Sequence, residues 1–296
     1  MPIKIGTRGS KLALVQTETV RQRLSALGIA SEPVIISTAG DTSTQVPLHE
    51  IGGQGVFVRA LDDAILAGDI DCAVHSMKDI PAYRPSGLFT AAVLKRDSPA
   101  DFIAHQGSLN AVKVVGSSST RRRAQLLRHD PDLTVKELRG NVDTRIRKLG
   151  AGEFDAIVLA EAGLTRLGIR LQGERFPPEK FVPSPNQGTI AVVSRADPSL
   201  MEMLSALDHP QTRTDVMIER AVMEQLGGGC YTPQGIYCRD GHLIAEVLSL
   251  DGTRTERIES TVKTIEEARE QGRALKAKAQ DLIDDAYRTL GISHEG

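Results

Sequence analysis

Short apolar runs alternate with amphipathic segments along the first two thirds of the chain. The apolar runs have the length and β-branched content of buried strands, and they lie at residues 3–7, 34–38, 70–74, 88–94, 113–116, 134–138, 155–160 and 189–193. The segments with apolar residues at helical spacing lie at residues 10–27, 56–68, 117–128 and 141–150. Strands that alternate with helices are typical of parallel sheets. The pattern predicts two successive α/β units, with residues 101–104 and 183–189 as crossovers and 189–193 returning to the first sheet.

The pattern changes after Pro210. A helix and three strand-like runs are predicted at residues 215–227, 235–238, 242–250 and 251–263. The tail from 265 to 290 is predicted as one or two helices, with apolar residues on one stripe at Leu275, Ala279, Leu282 and Ala286. Strands grouped together and followed by helix predict a small α+β domain at this end of the chain.

The composition is that of an ordinary folded protein. Of 296 residues, 40% are hydrophobic and 25% are charged, and this length suggests two or three domains. No apolar run approaches about 20 residues, so we expect no membrane span, and the first residues show no secretory pattern. Three cysteines far apart in sequence do not form a disulfide framework, so we expect a reducing, cytoplasmic setting.

Positive charge is concentrated in one region. The net charge is −2, yet residues 121–148 hold nine Lys or Arg and four acids, which leaves +5 locally. This asymmetry indicates a specific anionic ligand. Aromatic residues make up only 3% of the chain and Trp is absent, whereas grooves for single-stranded nucleic acid usually stack bases on aromatic side chains. A nucleic-acid partner is therefore disfavoured.

Two motifs at predicted strand-to-helix turns are suited to anions. GTRGS (6–10) and GSSSTRRR (116–123) each place serine and arginine at a helix N-terminus, where free N–H groups attract a carboxylate or phosphate. LRGNVDTR (138–145) follows the next strand, so its arginines should converge with those of 116–123. The alternative for each motif is an ordinary capped helix with solvated arginines.

One acid and one thiol stand apart from these cationic motifs. Asp79, beside Lys78 in VHSMKDIP (74–81), is unexpected near an anion unless the ligand also carries N–H groups or positive charge. The alternative is a weak Lys–Asp pair. His75 is predicted to be a packing or capping residue, and no ligand spacing predicts zinc. Cys230 lies in the turn-rich stretch LGGGCYTPQG (226–235), which predicts a displayed thiol, whereas Cys72 and Cys238 are predicted to be buried.

The residues therefore predict a cleft between two α/β lobes, rich in arginine, with one acid and one displayed cysteine. The ligand should carry several carboxylates together with N–H groups or developing positive charge. A non-catalytic anion-binding protein would need no thiol, so Cys230 favours an enzyme over such a protein.

These motifs together resemble those of the porphobilinogen deaminase family. The matching stretches follow the family's order, and they are TRGSKLAL (7–14), GGQGVFVRALD (52–62), AVHSMKDIP (73–81), GSSSTRRRAQL (116–126), LRGNVDTRIRKL (138–149), DAIVLAEAGLTRLG (155–168) and GGGCYTPQG (227–235). The C-terminal part matches in pattern more than in motif.

The resemblance implies an α/β fold with two periplasmic-binding-protein-like lobes, built on mixed or parallel sheets, and a small α+β C-terminal domain. The implied domains are residues 1–95 with 189–205, residues 99–184, and residues 210–296, the last of which carries Cys230.

The resemblance also implies a transferase of tetrapyrrole (porphyrin and heme) biosynthesis. It condenses four porphobilinogen molecules head to tail, with loss of ammonia, into hydroxymethylbilane. Its dipyrromethane cofactor is made from two substrate units and is bound by a thioether, here to Cys230. The family is usually monomeric, and we expect no nucleic-acid, membrane or metal partner.

Family positions carried onto this sequence give a set of site residues. Asp79 matches the catalytic acid, which would hydrogen-bond pyrrole N–H groups and stabilise positive charge as ammonia leaves. The residues implied to bind the cofactor are Lys78, Asp79, Ser119, Arg121, Arg122, Arg145 and Cys230. The residues implied to bind substrate are Arg8, Ser10, Gln16, Phe57, Arg139 and Arg166.

Three positions depart from the family pattern. Gln54 stands where relatives often have Lys, Glu161 where a small apolar residue is common, and Asn186 where Gly is usual. None of them removes the acid, the arginines or the cysteine, so the implied activity is unaffected.

Overall fold

The computed structural model of the chain describes residues 1–37, 56–227, 229 and 231–292, with Val56 and Phe57 described by their backbone alone. The strands are β1 (Ile3–Thr7), β2 (Ser31–Ile35), β3 (Cys72–Ser76), β4 (Leu88–Val93), β5 (Asp101–His105), β6 (Val114–Gly116), β7 (Thr134–Lys136), β8 (Ala156–Ala160), β9 (Gly173–Arg175), β10 (Ile190–Arg195), β11 (Gln234–Arg239), β12 (His242–Leu248) and β13 (Thr255–Thr261). The α-helices are α1 (Lys11–Ala26), α2 (Val56–Ala67), α3 (Thr120–His129), α4 (Val142–Gly150), α5 (Glu161–Arg166), α6 (Pro198–Ser205), α7 (Pro210–Leu226) and α8 (Ile265–Leu290). Two short 3₁₀ helices lie at Met77–Asp79 and Leu109–Ala111.

The first sheet has five strands in the order β2-β1-β3-β10-β4. β1 is parallel to β2 and β3, whereas β10 runs antiparallel between β3 and β4. Its core combines apolar side chains of the strands with those of α1 and α6, and Ile5, Leu24 and Leu204 are fully buried there. The predicted return of residues 189–193 to the first sheet is confirmed.

The second sheet repeats this arrangement, with the order β7-β6-β8-β5-β9. β6 is parallel to β7 and β8, and β5 is the antiparallel strand inserted between β8 and β9. Apolar clusters bury the strand residues of this sheet. One cluster contains Val115 and Val158, and another contains Ile157 and Leu159. The predicted α/β fold class is confirmed by these two sheets.

The third sheet is antiparallel, with the order β11-β12-β13, and α8 packs against it. Thr264 caps α8 by accepting a hydrogen bond from the Glu267 backbone N–H at 3.1 Å, and Gly291 ends the helix at a φ of 66°. The predicted stripe is buried, since Leu275, Ala279, Leu282 and Ala286 are at most 2% exposed. The tail is thus one helix, and the third sheet is the predicted α+β element.

The chain folds into two compact units. The first comprises Met1–Ser98, Thr165–Gly168 and Gly188–Arg213, and it holds the first sheet. The second comprises Pro99–Leu164, Ile169–Gln187 and Thr214–Gly296, and it holds the other two sheets. The three-domain boundaries implied by the sequence stay a prediction.

Several predicted elements were misplaced. Residues 101–104, predicted as a crossover, belong to β5, a central strand that starts with a buried aspartate. The strand predicted at 34–38 lies at Ser31–Ile35, where Pro33 is tolerated because β2 is an edge strand. Helix α7 begins at Pro210 rather than after Thr214. The pattern missed α5, α6 and β9.

Candidate functional site

The first-sheet edge is the end of the first sheet where β1 and β3 finish. Ile5 pairs with Cys72 and Gly6 with Ala73 in parallel register, so both strands present their carboxyl ends at the same edge. Arg8 follows β1 directly, and Lys78 and Asp79 follow β3 in the 3₁₀ turn. Ligands of open α/β sheets bind at such strand ends. The fold therefore brings the predicted Arg8, Lys78 and Asp79 to one edge.

Ser10 is the N-cap of α1. Its Oγ accepts a hydrogen bond from the Ala13 backbone N–H at 3.3 Å, which leaves other N–H groups of the first turn at the helix N-terminus. No acidic side chain lies in that first turn. The helix end is thus suited to an anion, as the sequence predicted.

Gln16 acts through Ser76 in this structure. Its buried amide donates from Nε2 to Ser76 Oγ at 2.8 Å, which ties α1 to the end of β3. On the other side, the Met77 backbone N–H donates to Thr189 O at 2.9 Å. These two bonds fix the turn that carries Lys78 and Asp79, while Asp79 itself is exposed.

His75 lies buried in β3, one position before Ser76. Burial, together with the positive charges of Arg84 and Arg8, lowers the pKa of His75 to about 3. Its Nε2 has no hydrogen-bond partner among the residues that the structure describes. The imidazole is therefore neutral at physiological pH, which agrees with the predicted packing role.

The second-sheet edge is the corresponding end of β6 and β7, which are parallel. Ser119 caps α3, with its Oγ accepting from the Arg122 backbone N–H at 3.3 Å. Ser118 Oγ donates to Leu138 O at 2.6 Å and accepts from Leu138 N at 3.1 Å, so it joins the segments after the two strands. The segments 116–123 and 138–145 are thereby joined, whereas the convergence of their arginines stays a prediction.

The arginines of LRGNVDTR are held close to their own segment. Arg139 Nε donates to Glu137 Oε1 at 2.6 Å, and Arg145 Nε donates to Gly140 O at 2.7 Å. Gly140 has a φ of 105°, and a Cβ there would collide with Thr144. Only glycine suits this position, which explains the Gly of the RGN motif.

Arg121 and Arg122 bind the carboxylate of Asp101, a residue that the sequence did not single out. Arg121 Nη2 donates to Asp101 Oδ2 at 2.8 Å, and Arg122 donates to Asp101 Oδ1 from Nη2 at 2.6 Å and from Nε at 3.1 Å. All three side chains are buried. Burial alone would raise the pKa of Asp101, but the two guanidinium groups hold it well below its usual range.

Arg166 is also engaged within the chain. Its Nε donates to Asp97 Oδ2 at 2.8 Å and its Nη2 donates to Gly188 O at 2.6 Å. Burial lowers the pKa of the guanidinium, and Asp97 opposes this effect. In this structure Arg166 thus connects the segments that flank residues 97 and 188.

The departures from the family pattern have local partners. Glu161 Oε1 accepts from Arg175 Nη2 at 2.7 Å and from Arg175 Nε at 2.9 Å. Asn186 has a φ of 63°, and its backbone N–H donates to the buried Glu219 Oε2 at 2.5 Å. Gln54 and Cys230 lie outside the described residues, as does the side chain of Phe57.

The two described cysteines are buried free thiols. Burial raises the pKa of Cys72 to about 12, so its thiolate is suppressed at neutral pH. Cys238 is also buried, with its backbone N–H donating to Glu219 Oε1 at 2.8 Å. Over the same described residues, no cluster of three His, Cys, Asp or Glu is arranged to hold a metal ion. No described helix has the length and hydropathy needed to cross a membrane.

The α/β architecture, with cationic side chains and capped helix N-termini at two sheet edges, defines a protein suited to small polycarboxylate ligands. Residues 3–203 match the family model described as porphobilinogen deaminase, dipyromethane cofactor binding domain, and residues 213–281 match porphobilinogen deaminase, C-terminal domain. The chain belongs to the porphobilinogen deaminase family. It is a transferase of tetrapyrrole biosynthesis that condenses porphobilinogen, and its N-terminal part binds a dipyrromethane cofactor.

Relatives support this membership over nearly the whole chain. A probable porphobilinogen deaminase of Methanosarcina acetivorans is 51% identical over 286 residues, which cover 92% of this chain and 90% of that protein. One of Archaeoglobus fulgidus is 46% identical over 286 residues, covering 93% and 98%.

Solved structures show a weaker likeness. A periplasmic substrate-binding protein of an ABC transporter from Coxiella burnetii has a TM-score of 0.43 and 15% identity, and the match covers 72% of this chain and 94% of that one. The GluR0 ligand-binding core in complex with L-glutamate has a TM-score of 0.39 and 13% identity, with coverage of 70% and 90%. These likenesses carry no argument about function.

Proposed function

We propose that Asp79 is the catalytic residue of porphobilinogen condensation in this chain. The observation that carries the proposal is an exposed carboxylate on a turn fixed from two sides, by the Gln16–Ser76 bond and the Met77–Thr189 bond. Loss of ammonia from porphobilinogen leaves a cationic, electrophilic pyrrole. A preorganised carboxylate would accept the pyrrole N–H and stabilise this charge as it develops. The same carboxylate would also move a proton in the coupling step.

The other predicted residues would bind the acetate and propionate groups of the pyrrole rings. At the first-sheet edge, Arg8, Lys78 and the α1 N-terminus at Ser10 offer positive charge and N–H donors. At the second-sheet edge, Ser119, Arg122 and Arg145 offer the same chemistry. Arginine suits this task because its fork can donate to both carboxylate oxygens. We assign Arg121, Arg139 and Arg166 to the same carboxylate-binding function. We also assign Gln16 and Phe57 to the substrate site, with Phe57 near the incoming pyrrole ring.

The donor set fits a dipyrromethane group. Such a group presents carboxylates, which guanidinium and helix N–H groups bind, and pyrrole N–H groups, which an aspartate binds. When bound, it supplies the end to which substrate units are added. We propose that Cys230 anchors it, because Cys72 and Cys238 are buried and the chain has three cysteines. A thiol is nucleophilic enough to capture the same electrophile that drives coupling.

The anchor is tested by comparing Cys230→Ala with Cys72→Ala. Wild-type protein and Cys72→Ala should carry a covalent adduct of two pyrrole units, and peptide mapping should locate it on Cys230. Cys230→Ala should carry none and should not turn over porphobilinogen. Intact mass spectrometry makes the measurement, and active protein with an unmodified Cys230 would overturn the proposal.

The role of Asp79 is tested by Asp79→Asn, with the exposed Asp69→Asn as the matched control. The amide keeps the shape but loses the negative charge, so turnover should fall by at least a hundredfold while the melting temperature stays near wild type. Asp69→Asn should leave turnover unchanged. Porphobilinogen consumption by Asp79→Asn within a few fold of wild type would contradict the assignment.

We also propose that the enzyme works as a monomer in the cytoplasm, without nucleic-acid or membrane partners. The family resemblance supports the monomer. The free thiols of Cys72 and Cys238 support a reducing compartment.

A further inference from the structure

Arg121 and Arg122 are adjacent in sequence, and both guanidinium groups are buried. Two like charges in a low-dielectric interior repel strongly, and each also loses its hydration. Their side chains would separate toward solvent unless a counter-charge held them. Asp101, which enters from β5, is that counter-charge.

Asp101 accepts four hydrogen bonds, three on Oδ1 and one on Oδ2. Besides the three bonds from the arginines, its Oδ1 accepts from Gln187 Nε2 at 3.0 Å, and Gln187 Nε2 also donates to Pro99 O at 2.8 Å. The side chain of Asp101 has no exposed surface. A carboxylate bound in this way has one orientation, and it imposes one orientation on its partners.

Two main-chain carbonyls and the Gln125 side chain complete the fixing of the guanidinium planes. Arg121 Nη1 donates to Val182 O at 3.0 Å and to Gln125 Oε1 at 2.9 Å, and Arg122 Nη1 donates to Val158 O at 3.0 Å. Each guanidinium has five N–H groups. Three of them are committed in each arginine to described residues, so two in each arginine remain for a ligand.

We propose that Asp101 is a positioning residue for the cofactor-binding arginines: it holds Arg121 and Arg122 side by side and determines which of their N–H groups meet a ligand carboxylate. The inference rests on the proposed function, in which these arginines bind the carboxylates of the dipyrromethane group. Asp101 does not touch the ligand, since both of its oxygens are occupied by the chain's own donors.

The test compares Asp101→Asn and Asp101→Glu with Asp155→Asn. Asp155 is a matched control because it belongs to the same sheet region and accepts backbone N–H groups from Lys113 at 2.9 Å and Val114 at 2.7 Å, with no arginine among these donors. Asp101→Asn leaves two positive charges with one neutral partner, and Asp101→Glu keeps the charge but moves it by one methylene.

We expect the fraction of purified chains that carry the adduct to fall at least tenfold in Asp101→Asn and severalfold in Asp101→Glu. In variant protein that carries the adduct, the KM for porphobilinogen should rise by a larger factor than kcat falls. Asp155→Asn should lower the melting temperature without changing adduct occupancy or KM. A purely structural Asp101 would instead behave like Asp155.

Two further outcomes separate this inference from the proposed function. If Arg122→Gln loads the adduct normally, the arginines do not bind the cofactor, and the part of the proposed function that assigns them to cofactor binding is wrong. If Arg122→Gln loses loading while folded Asp101→Asn or Asp101→Glu loads normally with an unchanged KM, the positioning role of Asp101 is overturned. Asp101→Glu keeps the charge, so it decides the question if Asp101→Asn does not fold.

Discussion

Asn186 occupies a backbone conformation that most side chains avoid. Its φ of 63° lies in the left-handed region, where Asn is among the few non-glycine residues found with any frequency. Its N–H is bound by Glu219, while neither side-chain amide atom has a hydrogen-bond partner among the described residues. The backbone geometry explains why Gly is usual at this position and why Asn can replace it.

His75 should make the stability of the protein depend on pH. Its pKa is about 3 when folded and about 6.5 when unfolded, so the unfolded chain binds an extra proton between these values. The contribution of the neutral His75 to stability is therefore complete above pH 6.5, and it decreases as the pH falls toward 3. A single such group lowers the free energy of unfolding by up to about 1.4 kcal/mol for each pH unit of acidification. Between pH 6.5 and 5 the loss amounts to about 2 kcal/mol.

Urea unfolding of wild type and His75→Asn at several pH values between 7.5 and 5 measures this effect. The variant should be less stable at pH 7.5 because it leaves a small cavity, but its stability should fall less on acidification. Parallel pH curves for the two proteins would show that His75 does not cause the dependence.

Among residues, the sequence predicts those whose role is local. Ser10 could be assigned as a cap, and the serines of 117–119 could be placed at a helix start, because a cap depends on three or four consecutive residues. Asp101 could not be found in this way, because its partners lie 20 and 21 positions later and reach it only through the fold. The available signal was a charged residue at the start of a short apolar run, residues 101–104, which was predicted as a crossover.

At the scale of elements, β12 is linked to α3 and β13 by one buried carboxylate. Glu246 Oε1 accepts from Gln125 Nε2 at 2.7 Å, and Oε2 accepts from Arg128 Nη1 at 2.9 Å and from Arg257 Nη1 at 3.2 Å. Gly252 lies close to the backbone of α3 at Ala124, where a Cβ would collide. The third sheet and α3, the helix that Ser119 caps, are thereby joined within one unit.

Glu246→Gln should lower the free energy of unfolding by about 1–3 kcal/mol, because a buried charge is removed from between two arginines. The two arginine side chains are about 30% exposed and can reach water, which limits the loss. Urea denaturation measures it, with Glu259→Gln as the control. Glu259 is half exposed and also pairs with Arg257, so its loss should change stability by no more than about 0.5 kcal/mol. Equal effects of the two substitutions would refute the special role of Glu246.

Elements with a clear period of hydrophobic residues could be predicted, whereas elements that depend on pairing with a distant strand could not. The stripe of α8 follows from helical spacing alone. The short β9 has three residues and is defined by its register with β5, which no local pattern encodes. The strand predicted at 34–38 did not include Pro33, which lies in β2; a proline is tolerated there because β2 is an edge strand, and whether a strand is at an edge depends on the whole sheet.

At the scale of the whole molecule, both large sheets use the same strand order. In each, two parallel βαβ steps are followed by one antiparallel strand that comes from elsewhere in the chain, β10 in the first sheet and β5 in the second. The alternation of apolar and amphipathic segments predicted the two α/β parts, and the late apolar run predicted the return of β10. The position of β5 could not be predicted in this way, because it is defined by pairing with β8 and β9.

The place of β10 has a consequence for synthesis on the ribosome. The strand that fills the gap between β3 and β4 begins at Ile190, nearly a hundred residues after β4 ends at Val93. Until it emerges, the nascent chain has two unpaired strand edges and an incomplete apolar core, and both features promote aggregation. Residues 99–187, which form the second sheet, can pair before that moment. We therefore expect the second sheet to be completed before the first, although the first strands of the first sheet are synthesised earlier.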